Sequence, residues 1–477
     1  MEEQHSSKKF YLIAFVVVLL VVITLGFLYV KKGQSVNGGQ KSLGALFGNI
    51  GNDISRATGN IIKPGNPISG EQDTSTEQAL EPLFKQLANI QIAGATSVSH
   101  DGRTYVRYIA RENGYIYDVD VKTAATTQLT NTTIPRIYEA YFANNGNTVI
   151  ARYLKRDEIA RKDTIKTYIA NLVLPTSQDA GTLGSLAGSE PQLPDNISAL
   201  SVSPNGQRLF YLLSVSDGVS GTIVNTQTRI ATEVFRNTFS EWLPQLLDNG
   251  NVILTSKPSA DIAGYAYLYD ANKKTLTRIV REKNGMTTLA TPMGTKVLFS
   301  ENLFGNTTLG VYDKKGFVQD EGLIIHNTSL QLATLPEKCA WSGNHIRIYC
   351  GAFASTPHAH IPDDWYQGVL SFSDTFWTIN TNLADLVLLA DPEKEKDAEK
   401  KFDVTYPFVD PSEDHFFFVD KNDSTLWSMR LEKPKFTGSE DLPVRDVVVP
   451  EFSPEELKDA QGSLPVKPTT TIKSKAK

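Results

Sequence analysis

Short runs of β-branched, aromatic and aliphatic residues alternate with clusters of Gly, Asn, Asp, Ser and Pro through most of the chain. Such alternation predicts strands joined by tight turns rather than helices. The turns recur regularly. Gly102, Gly146, Gly206, Gly250 and Gly294 each close a turn and follow one another at intervals of 44, 60, 44 and 44 residues. A β run leads into each turn, as at Val98, Phe142, Val202 and Leu247, and a second run follows, as at 209–213 and 252–254. Glycine supplies the positive φ that these hairpins require.

A third run ends, about nineteen residues after most of these glycines, on Asp120, Asn225, Asp270 or Asp313. Asp and Asn start turns by accepting hydrogen bonds from the backbone just ahead of them. Nine residues further on, an apolar residue marks a fourth strand: Leu129, Val234, Ile279 and, after Asn380, Leu389. Two degenerate units follow, one at Cys339–Cys350 and one at 408–429, which brings the count to seven, with six or eight as alternatives. The last unit has no fourth strand of its own, because the segment after it is polar and broken by Pro434. Phe84 to Leu87 resembles the fourth strand of the next unit, so the N-terminal strand is expected to complete the final one. A period near 44 with four strands per unit predicts an all-β, seven-bladed propeller over 81–432, closed so that no sheet edge is left open.

Turns such as Ser203, Pro204, Asn205 and Gly206, each followed by an Asp or Asn and then by an apolar residue nine positions on, resemble those of TolB-type, WD-repeat-like β-propellers. The likeness covers roughly residues 83–431 and implies architecture. TolB proteins carry a separate domain ahead of the propeller, and here an apolar span and a polar stretch stand in that place, so the resemblance does not carry TolB's role across.

Residues 10–30 form an uncharged apolar run, roughly 31 Å long as a helix, which suits the hydrocarbon core of a bilayer. The run is too long for the apolar part of a cleaved signal peptide and ends at Lys31 and Lys32 rather than at small residues, which predicts an uncleaved signal-anchor. Lysines flank both ends, so charge alone does not set the orientation. The short leading tail, 1–9, favours the cytoplasm for itself and an extracytoplasmic position for the bulk. Residues 31–80 read as a flexible stalk and 433–477 as a mostly disordered tail. The formal net charge of −6, with Lys and Arg scattered, argues against nucleic acid as a partner. The locally basic stretch 155–162 reads as a solvated loop between strands.

No nucleophile elbow, phosphate loop, zinc-protease helix or dinucleotide fingerprint stands in a suitable context, so no catalytic residue, metal or cofactor is assigned. Cys339 and Cys350, eleven apart around a hairpin turn, are expected to face each other within disulfide reach in an oxidising compartment. Two buried thiols are the alternative. His358 and His360, followed by Asp363 and Asp364, form the densest group of potential ligands, with an exposed polar loop as the plainer reading. They lie in the largest interruption of the period, 351–375, together with Trp365 and Tyr366. Such insertions map to loops on one face and often carry function. The two aromatics are either interface anchors or a cover for a blade edge.

These features predict a single-pass membrane protein displaying a propeller that binds a protein or a cell-envelope polymer, with catalysis the less favoured reading. A glycan or peptide hydrolase or lyase working in the central channel is one alternative, and a sensor of a small ligand or metal using His358 and His360 is another.

Overall fold

The computed structural model describes residues 81–432, apart from 160, 176–181, 189–192, 304, 315–322, 326–332, 355–358 and 396–399. The expected tail, membrane span and stalk of 1–80, the tail 433–477 and His358 lie outside the described residues. Among the described residues, no helix is long and apolar enough to cross a membrane.

Seven four-stranded sheets follow one another along the chain. Every pairing within them is antiparallel. Blades I to VI span 92–128, 137–188, 199–237, 242–284, 288–325 and 339–390 in simple up-and-down order. Blade VII takes three strands from 404–430 and its outermost strand, Phe84–Ala88, from the other end of the described chain. Phe84 pairs with Met429, Lys85 with Ser428 and Gln86 with Trp427. The ring therefore closes with the N-terminal strand, as the repeat predicts, and the count is seven.

Burial explains why the strands read as they do. The middle strands are packed by a neighbouring blade on each face, so they are nearly continuous in apolar residues, as in His415–Asp420, where every residue is buried. The innermost strands face the axis on one side and keep partly exposed residues, as in Ile92–His100. The core lies in the seams. Seven apolar clusters each bridge two adjacent blades, for example Phe210 and Phe235 with Trp242 and Leu254 between blades III and IV. Blade VI carries the expected disulfide: Cys339 pairs with Cys350 in register and the sulfurs are bonded.

The turn chemistry is that of the sequence pattern. Asp120, Asn225, Asp270 and Asn380 each end a third strand, and each side-chain oxygen accepts hydrogen bonds from two backbone N–H groups just ahead. The five period-marking glycines all have positive φ. At Gly206 a side chain is excluded twice over, because a Cβ would also lie 2.4 Å from the backbone nitrogen of Asn144 in the preceding blade. In blades VI and VII, His345 and Glu413 take the left-handed position instead, which is why these units look degenerate.

Blade II departs from the beat. Its second and third strands, Thr148–Asp157 and Lys162–Val173, are paired from end to end. Within 155–162, Lys155–Asp157 and Lys162 are paired strand, and Glu158, Ile159 and Arg161 belong to the exposed turn that joins the two strands. Asp163, close to Arg136 and Arg156, lets the charged tip remain a strand.

Candidate ligand site at the channel mouth

The innermost strands surround an axial cavity of about 660 Å³, lined by residues from the first strands of blades I, II, IV, V, VI and VII. Strand direction fixes which end it opens at. The cavity takes the leading residues Ile92, Tyr138, Thr288, Cys339 and Thr405, at the end where the blades are entered. The 351–375 insertion joins the second and third strands of blade VI and emerges at the same end. Its one-turn helix, Asp363–Tyr366, places Trp365 and Tyr366 in the cavity wall.

Beneath this helix sits an apolar cap of Ala333, Leu335, Phe353, Ile361, Trp365 and Phe372. Phe353 and Phe372 stack at 3.7 Å between ring centroids. Trp365 is buried, and its indole N–H donates to both carboxylate oxygens of Asp403 at 3.0 Å. Tyr366 reaches Glu337, on the connector into blade VI, and donates its hydroxyl to Oε1. The other oxygen of Glu337 is buried.

Opposite, Glu139 accepts from Arg152 at 2.6 Å and from the hydroxyl of Tyr141. Arg152 also donates to the Ile197 carbonyl at 2.7 Å and lies over the Tyr138 ring. Arg111 donates to the Tyr138 carbonyl, and the Lys421 ammonium sits 5.1 Å from the centre of the Trp365 ring. Neither Arg111 nor Lys421 makes an ion pair among the described residues. Burial pushes the Glu337 carboxyl above its ordinary range, with the hydroxyls of Tyr366 and Thr287 pulling the other way. Burial, then the neighbouring Glu337, holds the Tyr366 phenol far above its usual value, and burial with Glu139 does the same to Tyr141. The Lys421 ammonium is pushed down, again by burial. The tyrosines therefore stay protonated as hydrogen-bond donors beside an aromatic wall and two unspent cations.

Tyr406 completes the wall. It sits in a register shift between Thr405 and Phe408, with φ of 47°, in a conformation bulky residues rarely take. The residue is 63% exposed and lines the cavity, so packing does not account for its presence there. Strained non-glycine residues of this kind concentrate where a side chain has to be aimed at a ligand.

The residues singled out from the sequence are divided by the fold. Trp365 and Tyr366 meet the cavity, one as part of the cap and the other as part of the wall. Asp363 accepts from the backbone N–H of Ala260 at 2.6 Å and Asp364 from that of His360 at 2.9 Å, so both carboxylates anchor the insertion. His360 points elsewhere, with Nδ1 2.9 Å from Asp261 in a separate hollow of about 520 Å³ beside Asn302. Among the described residues, no group of three or more His, Cys, Asp and Glu side chains is arranged to hold a metal.

Topology is what decides the fold. The chain is a seven-bladed β-propeller. No family model matches it, and no curated protein matches it significantly. Among solved structures it is similar to TolB from Acinetobacter baumannii, with 13% identity, TM-score 0.34 and coverage of 58% of this chain and 59% of that one. It is also similar to oligogalacturonate lyase from Vibrio parahaemolyticus, with 10% identity, TM-score 0.47 and coverage of 73% and 94%. The β-propeller domain of Cps50 (Swd1) from Myceliophteria thermophila gives 9% identity, TM-score 0.43 and coverage of 73% and 98%. The chain thus spans 59% of the TolB structure. These likenesses are ones of fold.

Sequence reasoning reached the insertion but missed Arg111, Tyr138, Tyr141, Glu337, Tyr406 and Lys421. One local signal was available. Pro407 inside a β run marks an irregular strand, and the residue before it is conformationally restricted.

Proposed function

We propose that this chain is a membrane-tethered, extracytoplasmic binding module that grips a segment of a partner protein at the channel mouth. The tether is the apolar run 10–30, and the Cys339–Cys350 bond suits an oxidising compartment. The observation that carries the binding reading is the placement of Arg111 and Lys421, unpaired, beside Tyr138, Tyr406 and Trp365. Cations that make no close ion pair among the described residues, in an aromatic-walled cavity, favour an acidic group flanked by apolar or aromatic surface. Electrostatic attraction would steer such a segment in and the rings would hold it.

The test is a cross-linked pull-down with the intact chain in its own membrane. The partner should be captured by the wild type and lost from Arg111→Ala/Lys421→Ala, while Gln207→Ala on the opposite face keeps it. Equal capture by all three sinks the reading. A second reading rests on Glu337, whose raised carboxyl in the cavity wall suits a general acid acting on a glycan or peptide. Turnover of either substrate class that disappears in Glu337→Gln would select it.

A further inference from the structure

Lys338 is fully buried. Its Nζ lies 2.6 Å from Oδ1 of Asp403 and 2.7 Å from Oδ2 of Asp374, with both carboxylates as buried as the amine. The rings of Trp365 and Phe372 stand 5.0 and 5.1 Å from Nζ and close the site to water. A lone buried ion pair is rarely a net source of stability, and a cation enclosed with two carboxylates and no solvent is less favourable still. One oxygen of the group, Oδ1 of Asp374, has no hydrogen-bond partner among the described residues.

The two carboxylates are dressed differently. Oδ2 of Asp403 accepts from the Phe372 backbone N–H at 3.2 Å and from the indole N–H of Trp365 at 3.0 Å, which it shares with Oδ1, and the Ser371 hydroxyl lies 3.1 Å away with Asn422 Oδ1 as its nearer acceptor at 2.5 Å. Two N–H donors on one oxygen, with a hydroxyl beside them that can turn toward it, are the arrangement that stabilises a tetrahedral oxyanion at the carbon bearing it. Asp374 receives the Val404 N–H at 2.7 Å on Oδ2 and keeps its second oxygen free.

From this geometry we infer that Lys338 and Asp403 condense in the folded protein to an intramolecular isopeptide bond, with Asp374 as the proton carrier. In the step, a proton passes from the ammonium of Lys338 to the carboxylate pair, leaving a neutral amine and a protonated Asp403. The amine lone pair attacks Cγ of Asp403, and the charge that develops on Oδ2 is met by Trp365, Ser371 and Phe372. Asp374 takes a proton from the attacking nitrogen and returns it to the departing hydroxyl. The N–C bond forms, the C–O bond breaks and one water leaves; ammonium plus carboxylate equals amide plus water, so no oxidant or other reactant is needed. Burial keeps Asp374 protonated more readily than an ordinary aspartate, which suits a carrier. The product ties the connector into blade VI to the residue just ahead of the first strand of blade VII, Val404–Val409, with Asp374 at the base of the insertion between them.

The test is the intact mass of the full chain, purified in detergent, reduced and denatured before measurement. The expected mass is one water below that of the sequence, with a branched peptide joining Lys338 to Asp403 after proteolysis. Asp374→Asn and Lys338→Arg should each restore the full mass. A wild-type mass equal to the sequence overturns the inference without any variant having to fold. So does a lost water that maps to another position, such as a succinimide at the Asp101–Gly102 pair, or a water deficit that persists in Lys338→Arg.

Discussion

The seam between blades III and IV and the sector formed by blades VI and VII hold the same ring together by different physics. At III–IV, Phe210, Leu212, Phe235, Trp242, Leu254 and Tyr269 pack into an apolar core with ordinary edge-on aromatic contacts. At VI–VII, Phe84, Phe376, Phe402, Phe416 and Phe418 form a comparable cluster, but beside it lie Lys338, Asp374 and Asp403 with no exposure at all, and blade VI also carries a disulfide, on its opposite face toward blade V. The regular seam needs only burial. The irregular one has to hold a long insertion over the channel mouth, and it does so with directional, charged and covalent ties that fix positions more tightly than apolar contact does.

Lys338→Ala should separate the two most sharply. It leaves two carboxylates buried without a cation, at a cost of about 3–5 kcal/mol. Leu254→Ala in the regular seam should cost about 2–5 kcal/mol through its cavity, and that loss should not vary with pH. Denaturant titrations of both variants across pH test this. A Lys338→Ala loss below about 1 kcal/mol, the size of a surface pair, would remove the distinction.

The disulfide comes next. It closes a loop of eleven residues, and removing it by Cys339→Ser/Cys350→Ser should cost about 2–3 kcal/mol on the chain-entropy account. The midpoint of unfolding, compared with that of the wild type in reductant, checks the figure. An unchanged midpoint would mean that the register of Cys339 and Cys350 is set wholly by the apolar cluster they share with Leu298, Leu309 and Val311 of blade V.

A pH experiment sharpens the contrast further. With Lys338 and Asp403 still ionised and uncondensed, burial, opposed by Lys338 and assisted by Asp403, raises the Asp374 carboxyl from 3.8 to about 6. Between those values the folded chain holds a proton that the unfolded chain has released. This group's contribution to stability is therefore full below 3.8 and is lost as pH rises through about 6. The sign is opposite to that of a salt-bridged surface aspartate. Stability measured from pH 4 to pH 7 should show this fall in the wild type and a flatter profile in Asp374→Asn; identical profiles would contradict it.

What could be read from the sequence divides along the same line. Asp120, Asn225, Asp270 and Asn380 were legible because an Asx turn is local, its donors lying two and three residues ahead. Phe84 was legible because it repeats the pattern of a fourth strand, and Cys339–Cys350 because a hairpin sets the register. Lys338 and Asp403 were not, since 65 residues separate them and neither belongs to a periodic position. The channel residues were hidden for a related reason. Arg111, Tyr138, Glu337, Tyr406 and Lys421 come from separate parts of the ring and meet only once it has closed. The insertion was recognised as a break in period, but which of its side chains turn inward depends on blade VII, which the local sequence does not contain.

The smallest stability effect is expected at Tyr406, and it bears most directly on function. Holding a non-glycine residue at a φ of 47° costs about 1–2 kcal/mol, and glycine relieves that cost while adding about 0.5–1 kcal/mol of unfolded-state entropy. The ring is 63% exposed, so removing it forfeits little burial. Tyr406→Gly should therefore leave the unfolding free energy within about 1 kcal/mol of the wild type, on the stable side if on either. If the strain is retained in order to aim the phenol at a bound segment, the same variant should fail to capture the partner in the pull-down. A clear destabilisation would instead make Tyr406 a support of the bulge between Thr405 and Phe408, and retained capture would move the binding surface away from the channel mouth. Because stability and binding are expected to part company at this residue, one variant distinguishes strain kept for recognition from strain that is incidental to closing the ring.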